Sequence, residues 1–213
     1  MKNLLLFALA LLSATDAIGQ RQPGVFRIGF KAGYGLSTFH YTGTDATGIS
    51  KKSLPGYQAG LYFEYELSKQ LGFHTGFEVQ SKGDQAAVQF AGLTYSSKLK
   101  PVYLQIPVLF GYSTNHLYAG AGPVFGKGFT GTNWSQITGF PAKEKGIYWG
   151  ASPESDLKPF EFGLRGEVCY KFKPLRLGLN FDLGLSDINP ARRWQDLHIY
   201  NRCANIWIGY VFK

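Results

Sequence analysis

Past Leu12 the chain has no long, continuously apolar run. A helix that crosses a bilayer needs about 20 such residues, so no spanning helix is expected. Cysteine is nearly absent, with only Cys169 and Cys203. Acid is scarce beside base: 14 Asp and Glu against 22 Lys and Arg give a net charge of +8. Those cations are spread along the chain and carry no recognisable nucleic-acid motif, so no nucleic-acid partner is expected. Anionic headgroups and lipid phosphates are the more natural partners, beside the plain alternative of solvated loop charges. Gly-x-Ser-x-Gly and His-Glu-x-x-His are both missing. No catalytic residue, cofactor or metal is therefore expected. An enzyme with its site at one rim of the fold is kept as an alternative, with His40, His198, Asp187, Asp196 and Ser186 as its candidates.

What is present begins with Lys2, an apolar run from Leu4 to Leu12, and Ala17 and Gly19 at −3 and −1 of a cut before Gln20. This pattern predicts a secretory signal peptide over 1–19. No Cys follows the run closely, which argues against a lipoprotein. Residues 20–213 are then read as one domain.

The clearest signal lies between Phe160 and Ser186. Phe160, Phe162, Leu164, Val168, Tyr170 and Phe172 share one parity; Glu161, Arg165, Glu167 and Lys171 share the other. After Lys173-Pro174 the pattern restarts, with Leu175, Leu177, Leu179, Phe181, Leu183 and Leu185 opposite Arg176, Asn180 and Asp182. Period-two alternation this long is a strand signature. About 9–11 residues suffice for a tilted strand to cross a bilayer. Similar stretches start at Phe26, Tyr57, Leu71, Leu99, His116 and Arg202, which makes eight strands. Pro123 predicts a bulge or bend in the fifth. Short and long connections alternate, as in outer-membrane barrels with short periplasmic turns. The 27 Gly suit a narrow lumen, and 17 Phe, 13 Tyr and 4 Trp suit interfacial girdles. The predicted fold is all-β: an eight-stranded antiparallel up-and-down transmembrane β-barrel. Its expected place is the outer membrane, with the short turns and both termini periplasmic. A soluble lipocalin-like barrel, apolar inside and polar outside, is the competing fold.

The chain ends on Gly209-Tyr210-Val211-Phe212, followed by Lys213. Gly209, Tyr210 and Phe212 have the spacing of a terminal strand read by the barrel-assembly machinery as an insertion signal. Four segments carry a family likeness: Pro55 to Gly60, Phe73 to Gly83, Tyr103 to Leu109, and Leu117 to Pro123. In these the chain resembles the outer-membrane barrels of the PorT-like family, over about Val25 to Lys213. The resemblance implies a barrel with an envelope role, accessory to type IX-like protein secretion in the family's founding member. It brings no active-site residues.

Numbered from its turn, the Phe160–Ser186 hairpin sets Arg165 opposite Asp182, both pointing inward. Glu161 and Glu167 lie on the same strand, and Glu64, Glu78 and Lys31 share the inward parity of theirs. These seven residues are the candidate lumenal charge network, read as a plug or as an ion-selective constriction. His74 is expected inward near Glu64 or Glu66. Strand order places Cys169 and Cys203 about six residues apart in height, some 20 Å at ~3.3 Å per residue. That is too far for a disulfide, so two free thiols are expected. Trp134, Phe140, Tyr148 and Trp149, between Thr130 and Pro159, are read either as loop aromatics that grip sugar or protein or as girdle residues. Expected partners are outer-membrane lipids, lipopolysaccharide, the assembly machinery, and envelope or secretion proteins.

Overall fold

Alternation sustained for a dozen residues offers no helical face to bury, and each long alternating stretch of this chain is a strand. The computed structural model describes residues 23–43, 49–90, 92–190 and 196–212. The leader expected at 1–19 lies outside them. The strands are β1 (Phe26–Thr42), β2 (Ser50–Glu66), β3 (Leu71–Ser81), β4 (Asp84–Phe90), β5 (Leu93–Ser113), β6 (Leu117–Ile137), β7 (Lys143–Gly146), β8 (Phe160–Phe172), β9 (Leu175–Gly184) and β10 (His198–Val211). Eight of them form an antiparallel ring in the order β1-β2-β3-β5-β6-β8-β9-β10. The ring closes where β10 pairs with β1, from Gly29↔Val211 to Thr42↔His198.

The remaining two strands, β4 and β7, fall where loops are expected, and β2, β5 and β6 extend into the same stretches. Here β2, β4, β5, β6 and β7 rise past the ring as a sheet. Ser50 to Ser53 and Ser96 to Lys98 carry polar residues on both parities, so these segments lack the apolar face that makes a strand legible. Toward β5, β3 and β4 behave as one strand, since Ser81↔Val102 and Asp84↔Leu99 share a register. Toward β2 the register steps by one residue between Gln58↔Gln80 and Ser53↔Asp84. Gly83 stands at that junction with φ 136°, and a Cβ there would lie 2.0 Å from the Leu99 carbonyl oxygen. The bulge expected at Pro123 is instead at Phe129, where pairing passes from Val102↔Thr130 to Tyr103↔Gly128. Pro123 keeps its place opposite Leu164, but the ladder toward β5 lapses at Gly122 and Pro123 without a change of register, because proline has no N–H to donate there.

Burial separates the two faces. Along β8 it alternates without a break over all thirteen residues. Phe160, at the outer face, is 66% exposed, whereas Arg165, at the inner face, is 0% exposed. A charged interior inside an apolar wall is unfavourable in water on both counts. In a bilayer it is the stable arrangement, with each backbone group paired in a closed sheet. The inverted faces exclude the lipocalin-like alternative.

A separate apolar core closes the long-loop end. It joins Phe39, Ile147, Leu157, Ile188, Leu197 and Ile199, with Trp149, Tyr41, Ile49 and Leu99 packed against it.

Candidate functional site

Inward parity on β1, β2, β3, β8 and β9 aims charged side chains into a space just wide enough for them. They form layers. Nearest the short turns, Arg176 grips Glu64 with two bonds, Nε–Oε1 at 2.7 Å and Nη2–Oε2 at 3.0 Å. Beside it Lys171 reaches Ser113 at 2.7 Å and Glu66 at 3.4 Å, and Arg27 meets Glu66 at 3.2 Å. One layer up, His74 Nδ1 lies 3.1 Å from Glu167 Oε1, and its ring stacks on Tyr118 at 3.5 Å. Lys31 bridges Glu167 at 3.4 Å and Glu78 at 2.5 Å.

Arg165 occupies the centre. Its Nε donates to Asp182 Oδ1 at 2.5 Å and its Nη2 to Asp182 Oδ2 at 2.9 Å. Nη1 donates to Glu78 at 2.7 Å, and Nη2 also reaches Gln80 and Gln105, each at 3.2 Å. A planar guanidinium suits this task, because its fixed fork holds several acceptors at once. Above it Lys82 pairs with Glu161 at 2.6 Å and lies 3.7 Å from Asp182, while Asn201 Nδ2 donates to Glu161 at 2.8 Å. Carboxylate and cation thus alternate from Glu167 through Lys31, Glu78, Arg165, Asp182 and Lys82 to Glu161.

All seven sequence-expected charges are buried inside the ring. Arg165 and Asp182 face each other in the register. Glu161 and Glu167 do not touch that pair directly; Lys82 and Lys31 connect them to it. Glu64 belongs to the lower layer, with Arg176. His74 stands beside Glu64 in the ladder, yet its ring turns across the lumen to Glu167. The expected network leaves out Lys82, Lys171, Arg176, Gln80, Gln105 and Trp207, although parity already sets Lys171 beside Arg165 and Arg176 beside Asp182 on the inner face. Parity was the signal that could have added the rest, since each continues the inward set of its strand.

Two glycines are required by close approach. A Cβ on Gly178 would lie 2.3 Å from the Trp207 ring, and one on Gly128 would lie 2.2 Å from the Trp149 ring. Trp207 fills the lumen beside Tyr62, with ring centroids 5.8 Å apart. Trp149 turns in over Tyr103 at 5.5 Å, whereas Phe140 and Tyr148 are exposed.

Cys169 and Cys203 are buried free thiols. Through β9 they stand opposite Gly178 and Asp182, four residues apart rather than six. That is about 13 Å along the strand at ~3.3 Å per residue, still beyond disulfide reach.

Of the rim candidates, Asp187 and His198 come together, Oδ2 to Nδ1 at 3.1 Å. Ser186 Oγ accepts from the Phe162 N–H at 2.8 Å, and His40 packs beside Tyr200 at 6.5 Å on the outward parity. Asp187 also accepts from the Asn189 and Ile199 N–H groups, both at 2.9 Å, and lies 3.8 Å from Lys158. It staples the β9–β10 loop. Burial pushes its carboxyl up, but those N–H groups, His198 and Lys158 outweigh burial and hold it below the ordinary carboxylate value. A carboxyl depressed in the folded state stabilises it above the unfolded value, near 3.9, and loses that effect as pH falls through the folded value. On acidification into that range, hydrogen-exchange protection at Asn189 and Ile199 is expected to fall while β9 stays protected. Asp187→Asn should remove this difference. Equal loss in loop and strand would show that Asp187 is no local staple.

Among the described residues no group of three or more His, Cys, Asp or Glu is placed to hold a metal. A family model described as an outer membrane protein beta-barrel domain matches residues 18–189. No curated protein matches the chain. Among solved structures it is similar to Ail, the attachment invasion locus protein of Yersinia pestis, at 12% identity and a TM-score of 0.46, covering 90% of this chain and 100% of that one. It is similar also to OprG of Pseudomonas aeruginosa, at 16% identity and a TM-score of 0.40, covering 89% and 97%. Neisserial surface protein A follows at 10% identity and 0.39, covering 88% and 97%.

Proposed function

The chain belongs to the outer membrane protein β-barrel domain family, and from that premise we propose a non-conducting barrel that serves as a structural or interacting component of the cell envelope. The filled lumen carries this reading. Arg165, fully buried, holds groups from β3, β5 and β9, and the apolar core around Leu157 and Ile188 covers the end above it. No catalysis is assigned, because the rim pair Asp187 and His198 is engaged in holding a loop. Short turns and both termini face the periplasm, and the mature chain starts near Gln20. The lipid-facing wall contacts membrane lipid and lipopolysaccharide. During insertion the assembly machinery reads Gly209, Tyr210 and Phe212, of which Tyr210 and Phe212 lie on the outer wall against Phe30 at 5.9 and 6.0 Å.

Interaction falls to the long-loop end. There Val88 pairs with Tyr95 and Tyr95 with Ile137, an apolar row that is 38%, 47% and 41% exposed. Exposed apolar clusters of this kind favour contact with another protein. A PorT-like accessory to secretion fits such a surface. The test of the whole reading is electrical: purified protein in a planar bilayer is expected to give no stable current. A steady porin-like conductance would overturn it.

A further inference from the structure

The sheet that rises past the ring has an ordered outer face. Register sets Lys52 beside Gln85, Gln85 beside Lys98, Lys98 beside Trp134, and Trp134 beside Glu144. Directly paired residues share a face, so these five side chains form one transverse row. The row faces away from the barrel axis. Lys98 and Lys100 keep the parity of Leu104 and Ile106 on the apolar wall, and the Phe129 bulge brings Trp134 to the same side. Lys98 Nζ sits 4.7 Å from the Trp134 ring centroid. Lower down, level with Leu104, Lys127 sits 5.7 Å from the ring of Phe160. Lysines therefore climb one wall for six residues, about 20 Å at ~3.3 Å per residue, starting at the apolar band.

Lumenal lysines such as Lys82 and Lys171 each hold a carboxylate. Lys98 and Lys127 lie over aromatic faces instead. An ammonium group on a ring keeps donors for an incoming anion, and the indole offers a flat surface to the C–H face of a sugar. We propose that this outer face binds the phosphorylated sugar headgroup of a glycolipid in the outer leaflet of the same membrane. Phosphates meet Lys52, Lys98 and Lys100, and a sugar ring packs on Trp134. The site is reached sideways from the bilayer, because it continues the lipid-facing wall and does not open at the tip. That geometry selects a membrane-held ligand over a soluble polyanion. The inference rests on the reading that the long-loop end faces outward.

The experiment titrates the purified full chain in detergent with bis-phosphorylated glucosamine disaccharide, its dephosphorylated form, and dextran sulfate. Each surface lysine contributes on the order of fivefold to affinity for an anionic surface. The Lys52→Gln/Lys98→Gln/Lys100→Gln variant is expected to bind the phosphorylated disaccharide at least about tenfold more weakly, and Trp134→Ala several-fold more weakly. Lys51→Gln/Lys143→Gln, on the opposite face, should bind like the parent chain. Circular dichroism checks that each variant is folded. Unchanged binding by the triple variant overturns the site, as does equal binding of the dephosphorylated sugar. Dextran sulfate that binds more tightly and displaces the disaccharide overturns the glycolipid assignment. Labelling a Lys51→Cys variant on intact cells reports orientation separately: failure there sinks the outward reading and with it the outer-leaflet source, while disaccharide binding in detergent still decides the site.

Discussion

Arg165→Met is expected to lower the unfolding free energy of the barrel by about 3–5 kcal/mol, the range for breaking a buried ion pair from one side. The substitution keeps much of the side-chain volume and removes the charge. Asp182 loses two bonds and Glu78 one, while Gln80 and Gln105 lose a shared donor. Lys82 at 3.7 Å from Asp182 and Lys31 beside Glu78 soften the loss without replacing it. Reversible urea unfolding from lipid vesicles measures the change. Adding Glu78→Gln and Asp182→Asn to the variant should restore most of the stability, because no carboxylate is then left without its cation. A single variant within about 1 kcal/mol of the parent chain would show that Arg165 is not the centre of the network. A triple variant as weak as the single one would assign the loss to packing.

Trp207→Ala is the second large effect, about 3–5 kcal/mol for a buried aromatic cut back to a methyl group. Trp207 is 1% exposed, lies against Tyr62, and carries Lys31 Nζ at 4.9 Å from its ring. Removing it empties the space that Gly178 leaves open and takes the aromatic face from Lys31. The same unfolding assay reads the loss. Gly178→Leu, damaging alone because its side chain would enter the indole, should recover part of the stability when combined with Trp207→Ala. Additive losses in the double variant would mean that the two positions do not share one space.

These contacts explain which features were legible in the sequence. The Phe160–Ser186 hairpin was, because a two-residue turn fixes its register and one face is wholly apolar. Arg165 opposite Asp182 follows from that register alone. Lys82 meeting Glu161 does not: β3 and β8 are separated around the ring, and which residues meet across a lumen depends on strand tilt and stagger, which alternation does not encode. The offset of Cys169 from Cys203 was overestimated for the same reason. The extension strands were hidden because Lys51, Lys52, Ser96 and Ser97 give no dry face to detect. The core at the long-loop end was hidden because Ile147, Leu157, Ile188 and Leu197 are scattered through stretches without period, and only the fold collects them.

That apolar core also bears on the order in which the molecule assembles. Phe39 comes from the first strand of the ring, Ile199 from the last, and Leu157 and Ile188 from segments between. The core cannot be complete until β10 has zipped onto β1. Closing the cylinder and sealing its end are therefore one event, and a chain halted before β10 leaves the core around Phe39 and Leu157 without Ile199. A nascent barrel of this kind advertises its incompleteness through exposed apolar side chains at one end and hides them at the moment the last strand docks.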